Sequence, residues 1–382
     1  KSHISMKKIL FRKLISDCLK FFLISTIGIS AIVWVFQAVN YLDIMVEDGR
    51  NYSVYFKYTA LNFPKIISKI FPFAMFLSFY YVISKYESNN ELVIFWTHGV
   101  SKIQLINFFL RVSFILMFLQ ILFLTFLVPK TQDLARSILR NSNINFFDNF
   151  LKPQKFNDII KGVTIYTDKK NIDGTLQNIY IKKVTSPSEF EITYAKKGFI
   201  KNQNNIQILV LYDGHNIKGK NNNLNSFSFS KSDFNLSNLE SNTTTYKKTQ
   251  ENTSLDLLKC YKSLNSKNKY YSEFKVENCS LSNLSNILGE LYKRIIIPTY
   301  IPILILITLL LILITKENIN YIKIKISIFI FGISTIIFSE TTLRFIQDNL
   351  NNNIKIIAIP FFLTLILYLI IAKILKPELK KL

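Results

Sequence analysis

Residues 295–314 read Ile-Ile-Ile-Pro-Thr-Tyr-Ile-Pro-Ile-Leu-Ile-Leu-Ile-Thr-Leu-Leu-Leu-Ile-Leu-Ile, without a single charge. A helix needs roughly 20 mainly apolar residues to cross the hydrocarbon core of a bilayer, and this stretch supplies one crossing. Outward from it the pattern repeats. Apolar runs at 321–339 and 354–374 follow it, and three others, at 19–39, 63–83 and 105–128, come early in the chain. Between the two groups, residues 129–293 hold no run long enough to cross. The sequence therefore predicts a membrane α-helical protein of six transmembrane helices (3+3) with an inserted all-β domain. The boundaries fall at 1–128, 129–293 and 294–382.

Charge supports that reading. The 382-residue chain carries a formal charge of +22. In a soluble protein that excess would suggest nucleic acid. Here much of it flanks the spans, as expected of cytoplasmic loops: Lys7, Lys8, Arg12, Lys13 and Lys20 at the start, Lys316, Lys323 and Lys325 after the fourth run, Lys373, Lys376, Lys380 and Lys381 at the end. The first loop instead holds Asp43, Glu47 and Asp48. Six crossings then place both termini in the cytoplasm and the insert outside, and no nucleic-acid partner is expected. Residues 1–5 precede a plausible start at Met6.

Inside the insert, short β-branched and aromatic runs stand at 163–166, 179–181, 190–194 and 206–211, and 224–229 alternates apolar and polar residues. Asp173-Gly174, Lys197-Gly198 and Asp213-Gly214 read as the turns between them. The expected fold is a jelly-roll-like or sandwich domain, with loops, a short helix and a return strand from Ser230 to about Ser285. Cys260 and Cys279 lie in this exported part, where a disulfide is permitted, but spacing alone does not decide between a bridge and two free thiols. Cys18 is expected to stay reduced. The three histidines are scattered, so neither a metal site nor a catalytic triad is expected. Gly214 to Asn221 nearly spells a P-loop, yet Asn221 stands where Mg²⁺ chemistry needs Ser or Thr.

The segment Ser88-Asn89-Asn90-Glu91-Leu92-Val93-Ile94-Phe95-Trp96-Thr97-His98-Gly99-Val100-Ser101 joins the second and third runs. It is too short to cross. Asn89 or Asn90 can cap a helix, Glu91 suits its positive end and Gly99 can stop it. It reads as a short helix along the cytoplasmic surface, either interfacial or seated in a groove of a partner.

This segment resembles the signature of the lipopolysaccharide export permease family, the membrane subunits of the Lpt transporter. Gln37 and Asp43, Pro64 and Pro72, Val128-Pro129, the stretch from Phe156 through Gly162 to Tyr166, and Tyr292-Lys293-Arg294 before Pro298 agree with it. The run from Asn89 to Ser101 is more similar to the F-type than to the G-type subunit, although Trp96-Thr97-His98 departs from the usual small residues.

The resemblance implies a non-catalytic ABC-transporter permease in the bacterial inner membrane. It would pair with a sibling permease and use two copies of a cytoplasmic ATPase. The chain itself would bind no cofactor, since ATP and Mg are used by that ATPase. Lipopolysaccharide would pass to a periplasmic bridge, with a single-span accessory component attached. Glu91, Leu92, Val93, Phe95, Trp96 and Gly99 would couple to the ATPase. Phe22, Ile29, Ile32 and Phe36 of the first span, with Phe329 and Ile336 of the fifth, are candidates for the lipid cavity. Lys57, Lys65, Lys69 and Arg344 could meet lipid A phosphates, while Arg344 could instead pair with Glu340. Two other readings remain: a permease for another lipidic cargo, as in lipoprotein release, and a membrane sensor with an extracellular ligand domain.

Overall fold

Long apolar runs fold as helices because a bilayer offers the backbone no hydrogen-bond partners, so each segment must satisfy its own. The computed structural model describes residues 2–42, 52–141, 153–160, 163–171, 173–186, 189–203, 206–220, 223–235, 247–265, 278–347 and 350–379. The expected acidic first loop at 43–51 lies outside these residues. Among them, six helical stretches are long and apolar enough to cross a membrane: Met6–Asn40, Tyr52–Ser88, Lys102–Leu139, Leu281–Leu313, Tyr321–Phe345 and Asn353–Leu375.

In chain order, α1 is Ser2–Asn40, α2 Tyr52–Ser88, α3 Glu91–Thr97, α4 Lys102–Leu122 and α5 Val128–Asn141. After the β-strands come α6 Ser254–Asn265, α7 Leu284–Ile295, α8 Ile301–Leu309, α9 Tyr321–Thr341 and α10 Leu350–Leu379. The chain divides into two compact units. One contains Lys1–Phe36, Leu61–Leu134 and Tyr246–Leu382, and the other Gln37–Ala60 and Ala135–Thr245. The division differs from boundaries at 128 and 293. The end of the insert, with α6 and α7, belongs to the helical unit.

The uncharged stretch at 295–314 forms the centre of that helical unit. Every residue of α8 is buried, and it packs against α4, α9 and α10. Pro298 and Pro302 keep the turn before it 3₁₀.

Prolines elsewhere free carbonyls that other spans then satisfy. Pro72 in α2 cannot donate to the Ser68 carbonyl four residues back, and that carbonyl accepts from Gln120 Nε2 of α4 at 3.4 Å. The third apolar run ends at Val128, just before Pro129, but the helix does not: a π-helical turn at Phe123–Leu127 carries the chain into α5. The Thr125 carbonyl, four residues before Pro129, accepts from Ser254 Oγ at 3.3 Å. Pro129 thus lies inside a continuous helical stretch, and the π-turn before it, with the Ser254 hydroxyl on the Thr125 carbonyl, accommodates its missing donor.

The inserted β-domain is a six-stranded antiparallel sheet in consecutive order: β1 Asn157–Ile160, β2 Val163–Lys170, β3 Thr175–Ser186, β4 Glu189–Gln203, β5 Ile206–Lys220 and β6 Asn223–Asn235. It is a meander, without a crossover among the described residues. Val163, Ile165, Ile179, Ile181, Ala195, Leu209 and Leu211 make its core.

A crease runs across the sheet. The pairing of β2 to β6 skips Asp168, Asn178, Lys196, Asp213 and Ser230 in turn while the register on either side is kept. Asn178 and Asp213 there have φ of 50°. Buried positions change phase across it, from Leu176 to Ile179 in β3 and from Ala195 to Gly198 in β4.

Lys197-Gly198 and Asp213-Gly214 are therefore not turns. They lie at the crease inside long strands. A Cβ on Gly198 would strike Ile179 and Leu211, and one on Gly214 would strike Phe229. These glycines answer to close packing, whereas Asp173-Gly174 does precede the start of β3, with Gly174 at φ 80°. The P-loop-like residues from Gly214 to Lys220 are paired in β5. Glu191, although burial opposes its charge, has its carboxyl held below its ordinary pKa by the Asn216 amide and the Lys218 ammonium.

Candidate functional site

The short helix predicted between the second and third runs is α3. Asn90 occupies its N-cap position, but with φ 60° and no side-chain cap. The Asn89 amide donates instead to Glu91 Oε1 at 3.0 Å, which holds the carboxylate at the positive end of α3. The stop is Gly99, with φ 71°. Its N–H donates to the Trp96 carbonyl, and that of Val100 to the Phe95 carbonyl. This pair of bonds is a Schellman ending, and the buried Val100 side chain completes it. Ser101 then caps α4 through a capping box with Gln104.

The two sides of α3 do different work. Leu92 and Phe95 are buried in the core of the helical unit. They seat the helix, so any part they play in coupling is as its anchors. Val93 and Ile94 are 49% and 47% exposed, and Thr97 is exposed beside them. Glu91 and Trp96 are half-buried. Ile94 and Thr97 were missed, although they share a face with Val93 at helical spacing.

Around this seat, other segments close in. Lys7 of α1 donates from Nζ to the Gly99 carbonyl at 2.7 Å, and Phe11 packs against Phe95 and Phe108. Tyr86 donates to Asp17 Oδ2 at 2.6 Å, and Lys13 pairs with the other oxygen of Asp17. The Lys316 backbone N–H donates to Glu87, and its ammonium to the Ser88 carbonyl.

The candidate cavity residues divide in the same way. Phe22 is buried against Phe71, and Phe329 stacks on Phe76 and packs on Tyr80. Phe22 is enclosed between spans, whereas Phe329 packs on its neighbours and stays half-buried. Ile32 and Phe36 are 61% and 70% exposed on α1, beside Leu23, Ile24, Ile27 and Val35. Ile29 and Ile336 are half-buried. On α9 the open side carries Ile326, Ile330 and Ile337.

Among the cationic candidates, Lys65 is half-buried with Lys69, Lys293, Glu290 and Glu251 as its charged neighbours. Lys293, read from sequence only as part of the entry to the fourth span, lies near Lys65 and pairs with Glu290 at 3.8 Å. Lys57 belongs to the other unit. Arg344 is exposed in a 3₁₀ turn and makes no ion pair with Glu340 among the described residues.

Arg294 itself is 1% exposed. It pairs with Glu290 and donates to the Gln250 and Asn252 carbonyls and to Ser254. Nearby, Cys260 and Cys279 form a disulfide in a small core with Leu257, Ile287 and Leu291. No group of three or more potential metal ligands occurs among the described residues.

Comparison with known proteins agrees with this architecture. The chain is 25% identical over 207 residues to "Uncharacterized protein RP871" of Rickettsia prowazekii (strain Madrid E). The match covers 54% of this chain and 57% of that protein, so the chain spans about half the length of that relative. The model of the family "Lipopolysaccharide export system permease LptF/LptG" matches residues 12–375. With six membrane-capable helices, an inserted β-domain and a match along nearly its whole length, this chain belongs to the LptF/LptG permease family, whose members are membrane transporter subunits.

Proposed function

We propose that this chain is the F-type permease subunit of an ABC transporter that extracts lipopolysaccharide from the outer leaflet of the bacterial inner membrane. The observation that carries the reading is α3, a helix anchored by Leu92 and Phe95 that leaves Val93, Ile94 and Thr97 uncovered. Exposed apolar groups beside a fixed carboxylate fit a groove on a protein partner. A cytoplasmic ATPase, present in two copies, fills that role and supplies the ATP and Mg chemistry. A sibling permease would close the cavity against the open sides of α1 and α9.

Lys65 and Lys69 support an anionic lipid cargo, because neighbouring ammonium groups attract phosphates, while Lys293 beside them is paired with Glu290. The Cys260–Cys279 disulfide supports an oxidising, periplasmic side for α6 and α7. The Lys-rich start of α1 supports a cytoplasmic side for α3. From the β-domain, lipid would pass to the periplasmic bridge.

The test is co-purification from native membranes. The wild-type chain should bring down an ATPase, and Glu91→Lys should lose it while keeping the expression level and the disulfide. Retention of both ATPase and lipopolysaccharide export in Glu91→Lys would sink the assignment of α3.

A further inference from the structure

α3 does not rest on the membrane unit alone; it is tied at its C-terminal end to the beginning of α1. The Lys7 ammonium sits on the Gly99 carbonyl at 2.7 Å, where the helix presents its negative end. One turn further along α1, Phe11 fills the space between Phe95, the inward anchor of α3, and Phe108 of α4. Two turns further still, Asp17 accepts from Tyr86 at 2.6 Å and from Lys13 at 3.2 Å. Tyr86 lies near the end of α2, just ahead of α3. Residues 7, 11 and 17 thus fasten α1 on both sides of the docking helix, at its exit and at its approach.

Farther along the same helix, past Phe22, α1 carries the exposed stripe that includes Ile32 and Phe36. Between the fastenings and the stripe no proline interrupts α1, and its only glycine is Gly28.

We propose that Lys7 and the Asp17–Tyr86 bond are positioning residues that make α3 and α1 move as one body, so that displacement of the docking helix tilts the lipid-facing stripe. This rests on the function proposed above. It goes further in assigning transmission to named side chains that touch neither the ATPase nor the lipid. The tie is electrostatic at one point and hydrogen-bonded at the other, so conservative substitutions can cut it without emptying the core. Phe11 supplies the packing between them.

The experiment uses the whole reconstituted complex in lipid vesicles and reads two rates, ATP hydrolysis and lipopolysaccharide release, for Lys7→Met, Lys7→Arg and Tyr86→Phe. The expected result is an assembled complex whose hydrolysis is kept. Lipid released per ATP should fall about threefold to tenfold in Lys7→Met and Tyr86→Phe, the range over which residues remote from a ligand alter coupling. Lys7→Arg, which can still reach a carbonyl, should restore it.

An unchanged ratio in both variants overturns the proposal. So does loss of the ATPase from Lys7→Met, because Lys7 would then belong to the docking surface. Failure of the functional reading looks different: the wild-type complex would contain no ATPase or release no lipid.

Discussion

At the scale of single residues, some polar side chains inside the spans serve the backbone of a neighbouring span. Gln120 is 1% exposed, and its amide serves the carbonyl that Pro72 leaves without a donor. The sequence displays Pro72 openly, and a carbonyl left without its donor in the second span follows from it. Which side chain would answer the freed carbonyl could not be read, because the answer comes from another span 52 positions away. Gln120→Leu removes the donor and leaves the Ser68 carbonyl in an apolar setting. A cost of about 1–2 kcal/mol is expected, visible as a lower melting temperature of the full chain in detergent. An unchanged melting temperature would mean that the Ser68 carbonyl does not depend on Gln120. Cys260 and Cys279 make the complementary point: their spacing permitted a bond, and only the packing of α6 on α7 brings the sulfurs together.

At the scale of elements, α3 was legible in outline and its inner face was not. Its start, its glycine stop and its apolar content were all readable between Ser88 and Ser101. The division into seat and face depends on rotation about the helix axis, which the core around Leu92 and Phe95 fixes. The β-strands tell a similar story. Their apolar runs were found, but glycine-containing pairs at the crease mimicked turns, since a residue without a Cβ serves a turn and a close contact equally well.

Gly99 separates the two uses. A Cβ there would meet only the Lys7 ammonium, at 3.9 Å, so the demand is conformational: φ is 71°. Gly99→Val should therefore strain the Schellman ending by about 1–3 kcal/mol and weaken capture of the ATPase. Gly99→Asn, which tolerates the left-handed region, should keep most of it. Equal capture by wild type and Gly99→Val, measured by titration of the purified partner, would show that the ending of α3 does not set its fit.

At the scale of the whole molecule, hydropathy alone recovered the 3+3 arrangement because a bilayer leaves few alternatives. It could not say which apolar residues face lipid and which face protein, since both environments favour the same side chains. Burial shows which of them pack within this chain. The fourth span is enclosed, whereas α1 exposes a stripe containing Ile32 and Phe36.

A photo-crosslinking amino acid placed at each candidate position tests the consequence in living cells. Ile32 and Phe36 should yield lipopolysaccharide adducts. Phe22 should yield none, because Phe71 already occupies the space beside it, and Phe329, half-buried against Phe76 and Tyr80, should yield fewer than Phe36. Adducts at Phe22 as strong as those at Phe36 would mean that α1 turns during transport far enough to expose its packed side. Phospholipid adducts alone at all four sites would leave the stripe as ordinary bilayer-facing surface, and the cavity would have to be sought elsewhere on the helical unit.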